Sequence, residues 1–355
     1  MYITKINLQN FRNYEKQEIE IKDGINLFYG DNAQGKTNIL ESIFLCAMGK
    51  SFRAKKEKEL IRIGEKNAKV EIEYKKNNRE YKIEYQISDS KQILLNGIKI
   101  NRLSELLGNI HIVLFSPDDI EILKDGPGKR RRFLNMMISQ LRPNYVHFFN
   151  LYAKTLEQRN NYLRQIKMEN KPEELLEIWD EKLAEYAKEV FFYRSEFIEK
   201  IMKKIVEIHN KITDGKEKIQ IFYQSDFEDQ KQFKEVLEKT RKQDINRGYT
   251  TKGIHRDDFS IKINEKELDL YGSQGQFRTA LLSLKLSELY TIYDEIGEYP
   301  ILLLDDFMSE LDEKRRKKLL ENITDAQVLI TGTHKIILEN FNFNIYNVKE
   351  GKIIK

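Results

Sequence analysis

Cysteine is almost absent from this 355-residue chain, proline is scarce at five, and tryptophan occurs once. With Cys46 alone, no intrachain disulfide and no cysteine-built zinc site can form. The chain also lacks a run of about 18 consecutive apolar residues, so no helix is expected to span a bilayer and no membrane partner is expected. The opening stretch, Met1-Tyr2-Ile3-Thr4-Lys5-Ile6, alternates like a strand and does not have the charged, apolar and small-residue order of a secretory signal. A cytoplasmic location is the expectation. A strong excess of either charge is missing too: 61 basic and 57 acidic residues leave a net +4, too balanced to argue for a nucleic-acid partner on its own.

Charged residues at 33% and hydrophobic ones at 40% fit a globular chain with a sizeable core, and 355 residues suggest two lobes. Up to about residue 115 the pattern is mainly strand, with β-rich or alternating stretches at 2–8, 18–21, 25–29, 69–74, 81–87 and 91–95. Asn96-Gly97 adds a hairpin turn signal. From about 117 the period becomes helical. Over 173–210, Leu176, Trp179, Leu183, Ala187, Val190, Phe197, Ile201, Ile205 and Ile208 recur at helical spacing without Gly or Pro. One helix of that span would be ~55 Å long, and it needs companions, for which 142–168 and 229–241 are candidates. After about 250, strand and helix alternate again, with Ile301 to Leu304 and Gln327 to Ile330 reading as buried parallel strands. The expected architecture is a discontinuous α/β nucleotide-binding core at 1–116 and 249–355, with a mostly helical lobe inserted at 117–248. The helix from 272 extends toward that lobe.

Residues 30–37, GDNAQGKT, match the phosphate-binding pattern of glycine, four residues and Gly-Lys-Thr. An apolar strand precedes them and a helical pattern follows, the order that motif requires. Gly30 and Gly35 free the backbone so that N–H groups of Asp31, Asn32, Ala33 and Gln34 can turn toward a phosphate at a helix N-terminus. Lys36 would reach the β and γ oxygens of ATP, and the Thr37 hydroxyl would help hold Mg²⁺.

Ile301 to Leu304 run into Asp305-Asp306, a strand whose carboxylates emerge where a phosphate site would lie. Asp305 is expected to serve Mg²⁺ and Asp306 to act as general base on the attacking water. A later strand ends in Thr331-Gly332-Thr333-His334, and His334 could hydrogen-bond the γ-phosphate or orient water. Upstream, Tyr271-Gly272-Ser273-Gln274-Gly275-Gln276 opens a helical run at 277–290, so Ser273, Gly275 and Gln276 offer a second anion site. In one chain the two sites would compete for one nucleotide. A head-to-tail homodimer formed on ATP lets each signature close over the other chain's ATP.

The combination of GDNAQGKT, YGSQGQ, ILLLDDFMSELD and TGTH resembles the ABC-type ATPase heads of the SMC superfamily. Within it, FSPDDIEILKDGPGKRRRFLN at 115–135 and GIHRDD at 253–258 look like the RecF family, together with Asn10 to Tyr14 and Gly49 to Arg53. The family usually has Asp where this chain has Asn135, and Pro where it has Ile254. The resemblance implies a slow, DNA-stimulated ATPase that dimerises on ATP and recognises single-stranded and duplex DNA at gaps or junctions. It also implies action with RecO and RecR in loading RecA, during repair and replication. By the same resemblance Ser273 acts in trans, Arg12 and Asn13 lie near the nucleotide, and Asp312 and His334 complete the shared site.

Two basic clusters are the residue-level grounds for DNA: Lys50, Arg53, Lys55, Lys56 and Lys58, and Lys129, Arg130, Arg131 and Arg132. Either could neutralise phosphates without reading sequence, or be a solvated face; the second could instead pair with acids at a lobe or dimer interface. The alternative reading is a transporter-type ABC ATPase subunit, against which the long insert argues.

Overall fold

The computed structural model describes residues 1–323, 325–335 and 341–354. It divides into two compact units, residues 1–120 with 211–213 and 278–355, and residues 121–210 with 214–277.

The first unit contains two six-stranded sheets. One is antiparallel, running in the order Tyr14–Glu20, Tyr2–Phe11, Ala68–Lys76, Arg79–Ile87, Lys91–Leu95, Ile98–Lys99. In Ala68–Lys76 the residues Ala68, Val70, Ile72 and Tyr74 are buried, while the alternate Lys69 and Glu71 join ion pairs to Glu84 at 2.6 Å and Lys82 at 2.9 Å. Alternation fixes the register, because a slip of one residue would bury that charged row. Asn96 and Gly97, at φ 50° and 81°, make the predicted tight turn into the last strand.

The second sheet has the order Lys352–Ile354, Phe343–Lys349, Ile25–Tyr29, Val328–Gly332, Ile301–Leu304, Ile112–Phe115. All its pairs are parallel except the terminal hairpin. Ile301–Leu304 and Ile112–Phe115 are buried throughout, as strands covered on both faces must be. The helix Lys36–Met48 contacts strands of both sheets and is buried from Ile39 to Met48, which is why it is apolar nearly all round.

The second unit carries the helices Pro127–Leu141, Pro143–Glu169 and Gln230–Arg247 and most of Leu176–Thr213, whose 38 residues make ~57 Å. It is not all helical. A three-stranded antiparallel sheet orders Lys266–Glu267, Asp258–Ile263 and Ile219–Gln224. Residues 249–277, assigned above to the core, fall in this unit. Their anchor is charge: Arg194, 1% exposed, donates to Ile254 O at 2.6 Å and to Asn135 Oδ1 at 3.0 Å, and pairs with Asp257 at 3.3 Å. Likewise fully buried Arg159 donates to Asp180, Asp244 and Thr250, tying three segments together.

Candidate nucleotide site

Strand register in the parallel sheet brings three distant motifs to one edge. Tyr29 pairs with Gly332 and Leu304 with Ile330, so the loop after Ile25–Tyr29, the Asp305-Asp306 corner and the 331–334 turn leave the sheet side by side. Ligand loops of open α/β sheets lie at this carboxyl edge.

The loop itself depends on its two glycines. Gly30 has φ 152°, and a Cβ there would stand 2.2 Å from Val348 O; Gly35 has φ 110°, and a Cβ would meet the Asn13 amide at 2.6 Å. Ala33 also lies in the left-handed region at φ 64°, a strained setting for a non-glycine residue. Gln34 is held from outside the loop, its side chain accepting from Glu350 N at 2.6 Å and its carbonyl from Gly351 N at 3.1 Å. Lys36 is 4% exposed and folds back, donating to Gly30 O and Asp31 O, both at 2.7 Å.

Thr37 Oγ1 donates to Asp305 Oδ1 at 2.7 Å, and Thr331 Oγ1 donates to the same oxygen at 2.9 Å. Burial pushes the Asp305 carboxyl above the usual range, with both hydroxyls working against that rise. Next to it, Asp306 sits at φ 49°, its N–H bonded to Thr331 Oγ1 at 2.9 Å. No described residue donates a hydrogen bond to the Asp306 carboxylate. His334 is exposed just beyond the middle strand of the three.

Two oxygen ligands side by side below a phosphate cradle fit Mg²⁺, which takes one or two protein oxygens and completes its shell with phosphate and water. Among the described residues no cluster of three His, Cys, Asp or Glu could hold a metal unaided. The loop fits a triphosphate for a related reason: its backbone is already turned, and Lys36 needs only to exchange carbonyls for phosphate oxygens.

Asn13 touches the loop directly, donating to Gln34 O at 2.9 Å and accepting from Asn38 Nδ2 at 2.8 Å, while Tyr14 OH reaches Gly35 O at 3.0 Å. Arg12, the chain neighbour of Asn13, is anchored on the helix that follows the loop. Its guanidinium is taken up by the fully buried Glu41 at 2.7 and 2.8 Å and by Glu59 O at 2.8 Å.

A family model described as the RecF/RecN/SMC N terminal domain matches residues 2–354. The DNA replication and repair protein RecF of Acetivibrio thermocellus is 42% identical over 359 residues, covering 98% of this chain and 97% of its own. The chain belongs to the RecF family. The RecF of Clostridioides difficile is 40% identical over 367 residues, covering 100% of this chain and 98% of its own. Among solved structures, the recombination mediator protein RecF of the RecFOR pathway, in its RecF-ATP form, superposes with a TM-score of 0.93 at 40% identity over 99% of this chain and 97% of that one. An SMC head bound to the C-winged helix domain of ScpA gives a TM-score of 0.60 at 17% identity over 100% of this chain and 98% of that one, a likeness of fold. The fold is thus the α/β ABC-type ATPase head with a helical lobe. No helix among the described residues is long and apolar enough to cross a membrane.

The remaining RecF-family motifs divide by what their side chains touch. Ser273 and Gln276 form a capping box, Ser273 Oγ accepting from Gln276 N at 3.2 Å and Gln276 Oε1 accepting from Ser273 N at 2.9 Å. Gly275 is exposed beside them. Asp312 caps the helix Glu313–Glu321 through Arg315 N at 2.9 Å, and that N–H, aided by the Arg315 side chain, holds its carboxyl below the usual range. Lys50, Arg53, Lys55 and Lys56 are exposed. In the second basic cluster the alternative reading, pairing with acids, describes Arg130. Arg130 makes a bidentate pair with Asp258 at 2.6 and 2.8 Å, and Arg131 donates to Asp257 O at 2.8 Å, so the fold uses both and leaves Arg132 exposed. Thr331 and Glu41 were missed as site residues. A carboxylate amid the apolar run 39–48 was the available signal for Glu41; Thr331 had none beyond its motif.

Proposed function

We propose that this chain is an ATP-gated DNA clamp of recombinational repair and replication, acting in the cytoplasm. The observation that carries the reading is the Thr37–Asp305 contact beneath the glycine loop, in a fold shared at a TM-score of 0.93 with a RecF-ATP structure. Bound Mg²⁺·ATP supplies an electrophilic γ-phosphoryl group and the ion's charge. Lys36 then moves from the carbonyls of Gly30 and Asp31 to the phosphate oxygens, and Thr37 and Asp305 orient the metal. Asp306 takes the proton of the attacking water, and His334 orients that water or the γ oxygens. Ser273, Gly275 and Gln276 of a second copy close the same site, with Asp312 at its rim. The exposed segment with Lys50, Arg53, Lys55 and Lys56 meets DNA phosphates, single-stranded or duplex, at gaps and junctions.

In this reading hydrolysis is slow, because a complete site exists only in the closed dimer, and it serves release. RecO and RecR join the clamp to load RecA, the partnership that the RecFOR pathway of the solved relative suggests. Sedimentation of the Asp306→Asn chain with Mg²⁺·ATP tests the reading. A dimer that dissociates when nucleotide is withdrawn is expected; a monomer at every nucleotide concentration sinks the mechanism.

A further inference from the structure

The buried carboxylate of Glu41 has no place in the chemistry above, yet the fold spends a great deal of hydrogen bonding on it. It lies one helical turn after Thr37, on the same face of Lys36–Met48, and is 0% exposed. Its two oxygens take the bidentate Arg12 pair and the Ser51 hydroxyl. Ser51 Oγ in turn accepts from Arg53 N at 2.9 Å and Ala54 N at 2.8 Å, fixing the start of the basic segment. Arg12 fixes its end, since Arg12 Nη1 reaches Glu59 O and Arg12 N reaches Leu60 O, both at 2.8 Å, while Arg62 N returns to Asn10 O at 2.8 Å. Between these clamps Arg53, Lys55, Lys56 and Lys58 are exposed, and the backbone amides of Lys55 and Lys56 both donate to the Glu59 carboxylate at 3.2 Å.

Arg12 itself is held at φ 56°, a conformation its side chain disfavours, and its neighbour Asn13 grips the glycine loop at Gln34 and Asn38. One buried carboxylate thus joins the phosphate loop's helix, the Arg12-Asn13 turn and both ends of a cationic segment. The Glu41 half of the Arg12–Glu41 pair is wholly buried while Arg12 keeps 20% of its side chain exposed, so the carboxylate depends on these partners for all its hydrogen bonds.

We infer that Glu41 is a positioning residue that couples nucleotide occupancy of the glycine loop to the placement of the basic segment 50–58, through Arg12 and Ser51. The inference rests on the proposed reading that this segment meets DNA phosphates. When Lys36 and Thr37 engage a nucleotide, the helix start moves, Glu41 carries Arg12 and Ser51 with it, and the amides of Arg53 and Ala54 change their protection.

The test uses the full chain and two substitutions. Ser51→Ala keeps the Arg12–Glu41 pair and cuts only the arm to the segment; Glu41→Gln removes the junction and could unfold the chain, in which case Ser51→Ala decides. Hydrogen exchange over residues 51–62 is measured with and without a non-hydrolysable ATP analogue, and binding to a gapped duplex under the same conditions. In the parent, exchange over 51–62 is expected to respond to the analogue. In Ser51→Ala that response is expected to vanish and the nucleotide-dependent gain in DNA affinity to drop about tenfold, with nucleotide affinity held within about threefold. A parent whose exchange ignores the analogue, or a Ser51→Ala chain that keeps the parent's response, overturns the coupling. If the parent binds no DNA but the exchange response is present and lost in Ser51→Ala, the coupling stands and the DNA reading fails.

Discussion

Residues 30–37 and the pair of motifs at 127–135 and 253–258 are all short, charged stretches containing glycine, yet the surrounding fold treats their charges in opposite ways. At the phosphate loop, Lys36 is bonded only to carbonyls it can release, and the Asp306 carboxylate receives no hydrogen bond from a described residue. In the helical unit, Asp257 is met by Arg194, Tyr223 and Ser225, and Asp258 by Arg130. In the proposed function the first arrangement exchanges partners with a ligand, while the second stays as it is. A motif therefore announces charge, but whether that charge faces a ligand depends on partners from other segments.

Substitutions should separate the two regions. Arg194→Ala strands Asp257 in the interior and is expected to cost about 3–5 kcal/mol of stability, read by denaturant unfolding. Little loss would mean that the 253–258 motif is not the lock described. Lys36→Ala should leave stability nearly untouched but weaken ATP binding about 100-fold, ~2.7 kcal/mol, measured by titration with a fluorescent analogue.

Acid should also act on the helical unit first. Burial pushes His255 down to about 4, and its network, with Tyr152 OH at Nδ1 and Thr250 O at Nε2, suits the neutral ring. A histidine depressed in the folded state leaves the unfolded chain binding more protons between about pH 6.5 and 4, so stability falls as pH drops through that window, by about 3 kcal/mol. His255→Gln should flatten the loss; an unchanged pH profile would refute the assignment. The smallest effect is expected at Arg132, exposed beside its two committed neighbours. Arg132→Ala should move stability by no more than about 0.5 kcal/mol, whereas Arg130→Ala, which breaks the bidentate pair with Asp258, should cost about 1–3 kcal/mol.

Much of this was legible in the chain. The long helix, the β-rich start, the phosphate loop and the buried strands before Asp305 and Thr331 each rest on local period or on a motif whose geometry is local. What stayed hidden was decided by distant partners. Ile219–Gln224 is a six-residue strand, with Ile219 and Ile221 buried in alternation, lying in a stretch otherwise dominated by helix. Arg130 and Arg131 look like a cationic surface until Asp257 and Asp258, more than 120 residues later, are brought beside them. Glu41 reads as one polar residue of an apolar helix until Arg12 and Ser51 converge on it. Asn135 is hidden in the same way, since its Oδ1 accepts from both Tyr145 and Arg194.

The central claim, that one nucleotide site needs two chains, is tested most directly by mixing two defective proteins. Lys36→Ala lacks a working loop and Ser273→Arg a working signature, so each alone should be inactive as an ATPase. Mixed in equal amounts, half the dimers carry one intact loop facing one intact signature, and hydrolysis should recover to roughly a quarter of the parent's rate. A mixture no more active than its components, or a Ser273→Arg chain that hydrolyses ATP like the parent, would contradict it.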